Sequence, residues 1–161
     1  MSEHGLLPFV DAWSIDIEAP PRVVWQAVLD TRPAVRDPLW TQAWAALWRA
    51  DPRRSNGLPP HVLGAERPGF AVCEVVPPVT YALAGEHRFA RYQLVFRVGQ
   101  RGAHQSRLTA ETFASFPDTA GRLYRTLLID TRVHALVMWI MVRVLRHRAE
   151  ALARREGSTD A

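Results

Sequence analysis

The side chains that could carry out acid–base, nucleophilic or metal chemistry are scattered along this sequence of 161 residues. The histidines follow none of the spacings that hold a metal ion, so no metal site is predicted. They are His4, His61, His87, His104, His134 and His147. The sequence also lacks a Gly-x-Ser-x-Gly nucleophile motif, a phosphate-binding loop and a dinucleotide fingerprint. It therefore assigns no catalytic residue, and no cofactor is expected.

The remaining reactive candidates have structural interpretations. Cys73 stands in an apolar segment without a basic neighbour in sequence, which favours a small buried side chain over a reactive thiol. Asp16 and Glu18 alternate with apolar residues, so both carboxylates are expected on the solvated face of a strand. A single cysteine excludes an intramolecular disulfide and is typical of a reducing compartment. Because the N-terminus shows no signal-peptide pattern, a cytoplasmic location is predicted.

The positive charge comes from arginine alone, with 20 basic residues against 16 acidic ones and a net charge of +4. This excess is modest, and the arginines cluster only near the C-terminus, where they fall on several faces of a helix. No nucleic-acid partner is therefore expected. The hydrophobic fraction of 48% and the charged fraction of 22% are typical of a globular protein. The length favours one domain over residues 1–161.

The segment from Val133 to Arg155 begins with ten uncharged residues and then becomes basic. This apolar run is too short for a membrane span, which needs about 20 residues, so no transmembrane segment is predicted. Its three-and-four spacing predicts an α-helix. Because apolar residues occupy nearly every side of the first half, that half is expected to be buried nearly all round. The second half is expected to emerge into water and to end in a flexible tail from about residue 156.

The elements before this helix follow from local periodicity. Residues 12–19 alternate as a half-buried strand, and Pro20 and Pro21 begin a helix. A second short helix is predicted over residues 38–48. A loop rich in proline and glycine follows over residues 51–69, with one short edge strand. Four strands joined by hairpin-like connections come next, at residues 70–76, 79–85, 86–98 and 105–115. A last helical segment is expected to break near Ile129.

This order of elements resembles the START-like helix-grip superfamily, also known as SRPBCC, which includes polyketide cyclases, pollen-allergen proteins and lipid-transfer domains. Three parts of the sequence carry the resemblance. They are the segment from Ile15 to Trp25 (Ile-Asp-Ile-Glu-Ala-Pro-Pro-Arg-Val-Val-Trp), Asp30, and residues 74–78. The resemblance implies an α+β fold with two short helices after the first strand. A curved antiparallel sheet would grip the long C-terminal helix and leave a cavity between them. The loop at 51–69 departs from the pattern, since such proteins often show clear strands there.

The resemblance also indicates which residues face the cavity. Alternation places Tyr92, Leu94 and Phe96 on one strand face, and Thr112 faces the same way from the next strand. The expected ligand-binding residues are Tyr92, Leu94, Phe96, Thr112, Tyr124, His134, Met138 and Met141. Structural alternatives stay open: the methionines can be core filler, and His134 can be a core histidine with one hydrogen-bond partner.

Two functions are compatible with this sequence. The first is binding of a small hydrophobic or amphipathic ligand, lipid or polyketide-like, in the cavity. The second, which rests on the resemblance alone, is a cyclase- or dehydratase-like enzyme acting on a polyketide-type substrate. A cavity with one or two polar groups would favour the binder, whereas converging histidine, tyrosine, arginine or carboxylate groups would favour the enzyme. The sequence assigns neither the ligand nor the oligomeric state.

Overall fold

The computed structural model describes residues 7–30, 49–52, 54–126 and 132–159. The six strands in these ranges form one curved antiparallel sheet in the order β1-β6-β5-β4-β3-β2, so the first strand of the chain lies beside the last. The strands are β1 (Phe9–Ile17), β2 (Glu66–Arg67), β3 (Phe70–Val76), β4 (Thr80–His87), β5 (Ala90–Gly102) and β6 (Gln105–Ser115). The helices are α1 (Pro21–Leu29), α2 (Thr119–Arg125) and α3 (Val133–Thr159).

The strands follow the alternation of the sequence. In β6, every second side chain from Ser106 to Ala114 is buried, while the residues between them are partly exposed. Directly paired residues of antiparallel strands share a face, so the pairs Leu94–Thr112 and Phe96–Ala110 extend the buried face onto β5. The four strands predicted after residue 69 are present, and β2 is the predicted short edge strand, but β4 runs on to His87, so the turn before β5 lies at residues 88–89 and not at the predicted boundary between residues 85 and 86.

Two helices cover part of the concave face of the sheet. The ring of Pro21, at the start of α1, holds φ near the value that a first helical turn requires, and the valines of α1 are almost fully buried. The helix α3 contacts α1, β1 and β6 through Met138, Val142, Leu145 and Ala149. These four residues are spaced by three or four positions and form one face of the helix. The predicted grip of the sheet on the C-terminal helix is confirmed.

The expected burial of α3 on nearly all sides is wrong. Five aliphatic residues near its start are exposed by 41–57%, namely Val133, Leu136, Val137, Ile140 and Val144, and Trp139 is exposed by 41%. The physical reason is that α3 lies across the sheet at one side, so the elements that it contacts cover one face of the helix. The three-and-four spacing of these five residues indicated a helix correctly, but the apolar character of its other side does not mean that both sides are covered.

The ends of the described helices are partly fixed by local contacts. Asp118 caps α2, because its side chain accepts a hydrogen bond from the backbone N–H of Gly121. α2 ends at Arg125 and α3 begins at Val133, and the break predicted near Ile129 lies outside the described residues. The helix predicted over residues 38–48 lies outside the described residues. A flexible tail was expected from about residue 156, but α3 continues to Thr159. Glu156 in this last turn pairs with Arg22 at 2.8 Å. No helix in the described part of the chain is long and apolar enough to cross a bilayer.

Candidate ligand-binding site

The concave face of the sheet has a packed half and an open half. In the packed half, beneath α1 and the second part of α3, Phe96, Val98 and Leu108 are exposed by 5% or less. In the open half, three side chains on the same face remain partly exposed, namely Leu83, Tyr92 and Leu94. Met141 of α3 is also partly exposed where it packs against this core. Leu83, Leu94 and Met141 define the open half, and Tyr92 lies at its border.

The open half is continuous across neighbouring strands. Leu83 of β4 pairs with Leu94 of β5, and Leu94 pairs with Thr112 of β6. Thr112 is nearly buried and lies beneath Met138, with 3.8 Å between its hydroxyl oxygen and the sulfur. Leu83, Leu94 and Thr112 therefore form a continuous row across β4, β5 and β6. The two leucines lie at the middle of the sheet, and the hydroxyl of Thr112 lies below the start of α3. An apolar surface with a polar group at one end suits an amphipathic molecule.

A polar cluster of Asp11, Thr112 and His134 stands at that end. The Nε2 atom of His134 lies 3.2 Å from the hydroxyl oxygen of Thr112 and 3.3 Å from Oδ1 of Asp11. The other carboxylate oxygen of Asp11 accepts a hydrogen bond from the indole N–H of Trp13 at 2.9 Å. The side chains of His134 and Asp11 keep 17% and 26% of their surface exposed, so the cluster is accessible from outside.

The local structure explains why these three side chains meet. His134 is the second residue of α3 and is directed back towards the sheet, where the start of the helix crosses β1 and β6. Asp11 pairs with Thr112 across the β1–β6 ladder, next to a shift in register between Phe9 and Asp11. Such a cluster can donate or accept a hydrogen bond and can hold a histidine ring in one orientation.

Aromatic rings close the other side of the open half. The hydroxyl of Tyr92 donates to the backbone oxygen of Gly69 at 2.6 Å, and its ring meets Phe70 and His87. Tyr124 of α2 stacks on Phe89 at 5.6 Å and meets the ring of His87 edge-on at 5.0 Å. These contacts fix the rings, so this side of the open half is a wall rather than an opening.

Burial controls the ionisation of this wall. It raises the pKa of Tyr92 far above the ordinary value of 10, and repulsion from Tyr124 and Glu86 adds to the increase. Burial also raises the pKa of Tyr124 and lowers the pKa of His87 below its ordinary value of 6.5. The tyrosines therefore remain protonated at neutral pH and His87 favours its neutral form, which gives the wall no net charge.

The eight predicted site residues separate into four groups. Leu94 and Met141 lie in the open half, and Thr112 and His134 belong to the polar cluster. Tyr92 and Tyr124 form part of the aromatic wall. Phe96 and Met138 lie in the packed core, with 4% and 3% of their surface exposed. The hydroxyl of Tyr92 is bonded to the backbone oxygen of Gly69.

Two residues of the site were missed from the sequence. Asp11 was left outside the first predicted strand, although the alternation of Trp13 and Ile15 extends back to it and indicates the same face. Leu83 alternates with Tyr81 in the predicted strand over residues 79–85, but nothing local indicates that it remains open. Its partial exposure depends on how far the helices reach across the sheet.

Other groups that could carry chemistry have structural roles. Asp16 forms a two-point contact with Arg107 at 2.7 and 2.9 Å, and this hydrogen bonding lowers the pKa of the Asp16 carboxyl. The placement of Asp16 on the outer face is thereby confirmed. Cys73 is half-buried, and burial raises the pKa of its thiol, which disfavours the reactive thiolate. Within the described ranges, no three metal-ligating side chains come together.

A separate cavity of about 670 Å³, the edge cavity, lies near the β2 edge of the sheet and is lined by residues of β2, β3 and β4. Its lining includes charged residues of both signs, among them Asp51, Glu66, Glu86 and Arg91. Glu86 and Arg91 form an ion pair at 3.3 Å within this lining. Of the predicted site residues, Tyr92 alone appears among the described residues that line the edge cavity. The edge cavity therefore meets the open half at Tyr92, but Leu83, Leu94 and Met141 are not among the described residues that line it.

No protein-family model matches the chain, and no curated protein matches it in sequence. Solved structures do resemble it. A protein from Thermobifida fusca, solved by NMR, superposes with a TM-score of 0.54 and 18% identity, covering 88% of this chain and 93% of that chain. A START superfamily protein from Mycobacterium smegmatis superposes with a TM-score of 0.50 and 15% identity, covering 89% and 99%. At these identities the similarity concerns the fold, and the chain has the START-like helix-grip fold that its order of elements predicted.

Proposed function

We propose that the protein binds a small hydrophobic or amphipathic molecule in the open half of the concave face. The observation that carries the proposal is the partial exposure of Leu83, Leu94 and Met141 beside a core in which neighbouring side chains are fully covered. Covering such surface with a ligand is favourable by roughly 25 cal/mol for each Å² of apolar surface removed from water. A lipid or a polyketide-like molecule supplies apolar surface of this kind.

The polar cluster supports an amphipathic ligand rather than a plain hydrocarbon. Thr112 pairs directly with Leu94, so a molecule lying on the two leucines has one end close to the hydroxyl of Thr112 and the ring of His134. A hydroxyl or carbonyl group at that end would find hydrogen-bond donors and acceptors there. The aromatic wall on the other side would limit the size of the ligand.

The same cluster supports an enzyme as the second candidate. A histidine that contacts a carboxylate is a common arrangement for a general base, and Asp11 and His134 are 3.3 Å apart. Because an ionised Asp11 carboxylate can only accept a hydrogen bond, the Nε2 atom that faces it would carry the proton of the neutral ring, and a substrate proton would have to reach Nδ1, the other ring nitrogen. A cyclase- or dehydratase-like reaction would need such proton transfer.

Displacement of an environment-sensitive apolar dye tests the binding site. The dye should gain fluorescence with the folded protein and be displaced by fatty acids, sterols or polycyclic aromatics. Met141→Trp should fill the open half and weaken dye binding, whereas Leu63→Trp, at an exposed residue of the edge cavity, should not. Loss of binding in Leu63→Trp alone would move the site to the edge cavity. A folded protein that binds no dye and carries no ligand in native mass spectrometry would contradict the proposal.

His134→Gln separates the two candidate functions. Glutamine keeps hydrogen-bonding groups but is not a base at neutral pH. For a binding protein, ligand affinity should change by less than about tenfold, the equivalent of one lost neutral hydrogen bond. For an enzyme, turnover of a polyketide-type substrate should fall by about a hundredfold or more while binding persists.

A further inference from the structure

A stripe of exposed apolar side chains runs along the outward face of α3. Val133, Leu136, Val137, Ile140 and Val144 compose this apolar stripe, which is about 16 Å long at 1.5 Å per residue. It lies opposite the face of α3 that packs on the sheet. Contiguous exposed apolar surface on a helix marks a site of interaction more often than scattered exposed residues do.

The same face of the helix becomes basic after the stripe. Continuing the three-and-four spacing beyond Val144 leads to His147 and Arg148 and then to Arg154 and Arg155, all of which are exposed. From Arg132 to Ala149 the sequence has no acidic residue. The two acidic residues of α3 are both paired, Glu150 with Arg146 at 2.8 Å and Glu156 with Arg22 at 2.8 Å.

Arg143 and Trp139 border the apolar stripe. The guanidinium of Arg143 lies over the indole ring of Trp139, 4.3 Å from its centre. Both side chains combine apolar surface with a polar or charged group, and both are favoured where a hydrocarbon layer meets water. The stripe therefore has a polar border of the kind found on helices that lie in a membrane interface.

We propose that the outward face of α3 docks on an anionic lipid surface. The apolar stripe would enter the boundary between headgroups and acyl chains, and the exposed arginines would meet the lipid phosphates. An anionic bilayer supplies both an apolar layer and negative charge, which matches the two halves of this face. The open half lies on the other side of α3 and stays uncovered when the outward face docks. The docking proposal therefore does not depend on the proposed ligand site.

A second copy of the chain matches this face less well. In a parallel pair, the basic halves of the two helices would lie side by side and repel each other. In an antiparallel pair centred on the stripe, Arg143 and Arg148 of one copy would approach Arg132 of the other. Because no unpaired acidic residue of α3 is available to meet these arginines, the charges favour a lipid surface over a copy of the same chain.

Vesicle flotation with the full chain tests the docking. Vesicles of phosphatidylcholine mixed with an equal part of phosphatidylglycerol should bind the protein at about 0.1 M salt, and vesicles of phosphatidylcholine alone should not. Raising the salt to about 1 M, where the Debye length falls from about 10 Å to about 3 Å, should release it. Arg148→Glu should weaken binding by at least about fivefold, the contribution of one arginine near an anionic surface. Val137→Glu should abolish the insertion of the stripe.

Two variants outside α3 serve as matched controls. Val79→Glu changes a valine of similar exposure in the β3–β4 turn, and Arg101→Glu reverses an exposed arginine near the end of β5. Both carry the same charge change as the test variants and should retain most of the vesicle binding. Equal binding of the parent to both kinds of vesicle, or equal losses in test and control variants, would overturn the proposal.

Two further results would also overturn it. If Val137→Glu lowered the melting temperature as much as Leu145→Glu, the stripe would be covered by the chain itself in solution. If the parent sedimented as a dimer that Val137→Glu converted to monomers, and bound no vesicles, the occupant of this face would be a second copy. Unchanged stability of Val137→Glu together with lost vesicle binding is the expected result.

Discussion

Gly85 is the position at which one added methyl group should disturb the aromatic wall. A Cβ atom at Gly85 would collide with the backbone oxygen of Gly69 and lie 2.9 Å from the ring of Tyr92. Gly69 holds two hydrogen bonds, because its oxygen accepts from Tyr92 at 2.6 Å and its N–H donates to Pro52 at 2.7 Å. Gly85→Ala therefore forces the turn between β2 and β3 away from the sheet.

The cost of Gly85→Ala combines steric strain with weakened hydrogen bonding. Overpacking costs about 1–3 kcal/mol, and each weakened hydrogen bond adds about 0.5–1.5 kcal/mol. We expect the free energy of unfolding to fall by about 2–4 kcal/mol, which lowers the melting temperature by roughly 5–15 °C in a chain of this length. Tyr92→Phe, which removes the hydroxyl and keeps the ring, should cost less than Gly85→Ala.

Gly99→Ala is the matched control. Gly99 also lies in a strand, but the nearest atom to an added Cβ is the backbone oxygen of Arg107 at 4.0 Å, which is ordinary contact. Alanine there should leave the free energy of unfolding unchanged or raise it by about 0.4–1 kcal/mol, because alanine lowers the conformational entropy of the unfolded chain. Thermal unfolding followed by circular dichroism measures both variants. If Gly85→Ala and Gly99→Ala melted at the same temperature, the close approach of Gly69 to the sheet would be refuted.

Two further predictions concern stability. Trp25→Ala should lower the free energy of unfolding by about 3–5 kcal/mol, because the ring is 8% exposed and meets Tyr81 edge-on. Trp13→Ala should cost less, since Trp13 is only partly buried, and equal costs in urea denaturation would contradict this ranking. Because burial lowers the pKa of His87 in the folded state, its contribution to stability is present above about pH 6.5 and is lost as the pH falls through the folded-state pKa. His87→Phe should reduce the loss of stability between about pH 7 and pH 5, and an unchanged pH profile would contradict the assignment.

The sheet could be predicted from the sequence because its alternation is regular. The residues from Ser106 to Ala114 alternate without interruption, and hairpin connections limit the possible order of strands. The start of β1 was less clear, since the register shift between Phe9 and Asp11 interrupts the pairing near the end of the strand. That shift explains why Asp11 was missed as a member of the polar cluster.

The helix α3 shows where prediction from sequence reached its limit. Its apolar residues cover nearly every side, so periodicity alone cannot distinguish the face that packs on the sheet from the face that remains exposed. The difference between Leu145, which is 1% exposed, and Val144, which is 41% exposed, arises from the position of the helix on the sheet. The hydrogen bond from Tyr92 to Gly69 likewise depends on a turn that approaches from 23 residues away.

The central claim is that the open half of the concave face holds the ligand, and methyl NMR tests it most directly. Protein labelled on leucine and methionine methyl groups would be titrated with a fatty acid. We expect the largest chemical-shift changes at Leu83, Leu94 and Met141, and little change at Leu63 in the edge cavity. Changes confined to Leu63, or no saturable change at any methyl group of the folded protein, would contradict the claim.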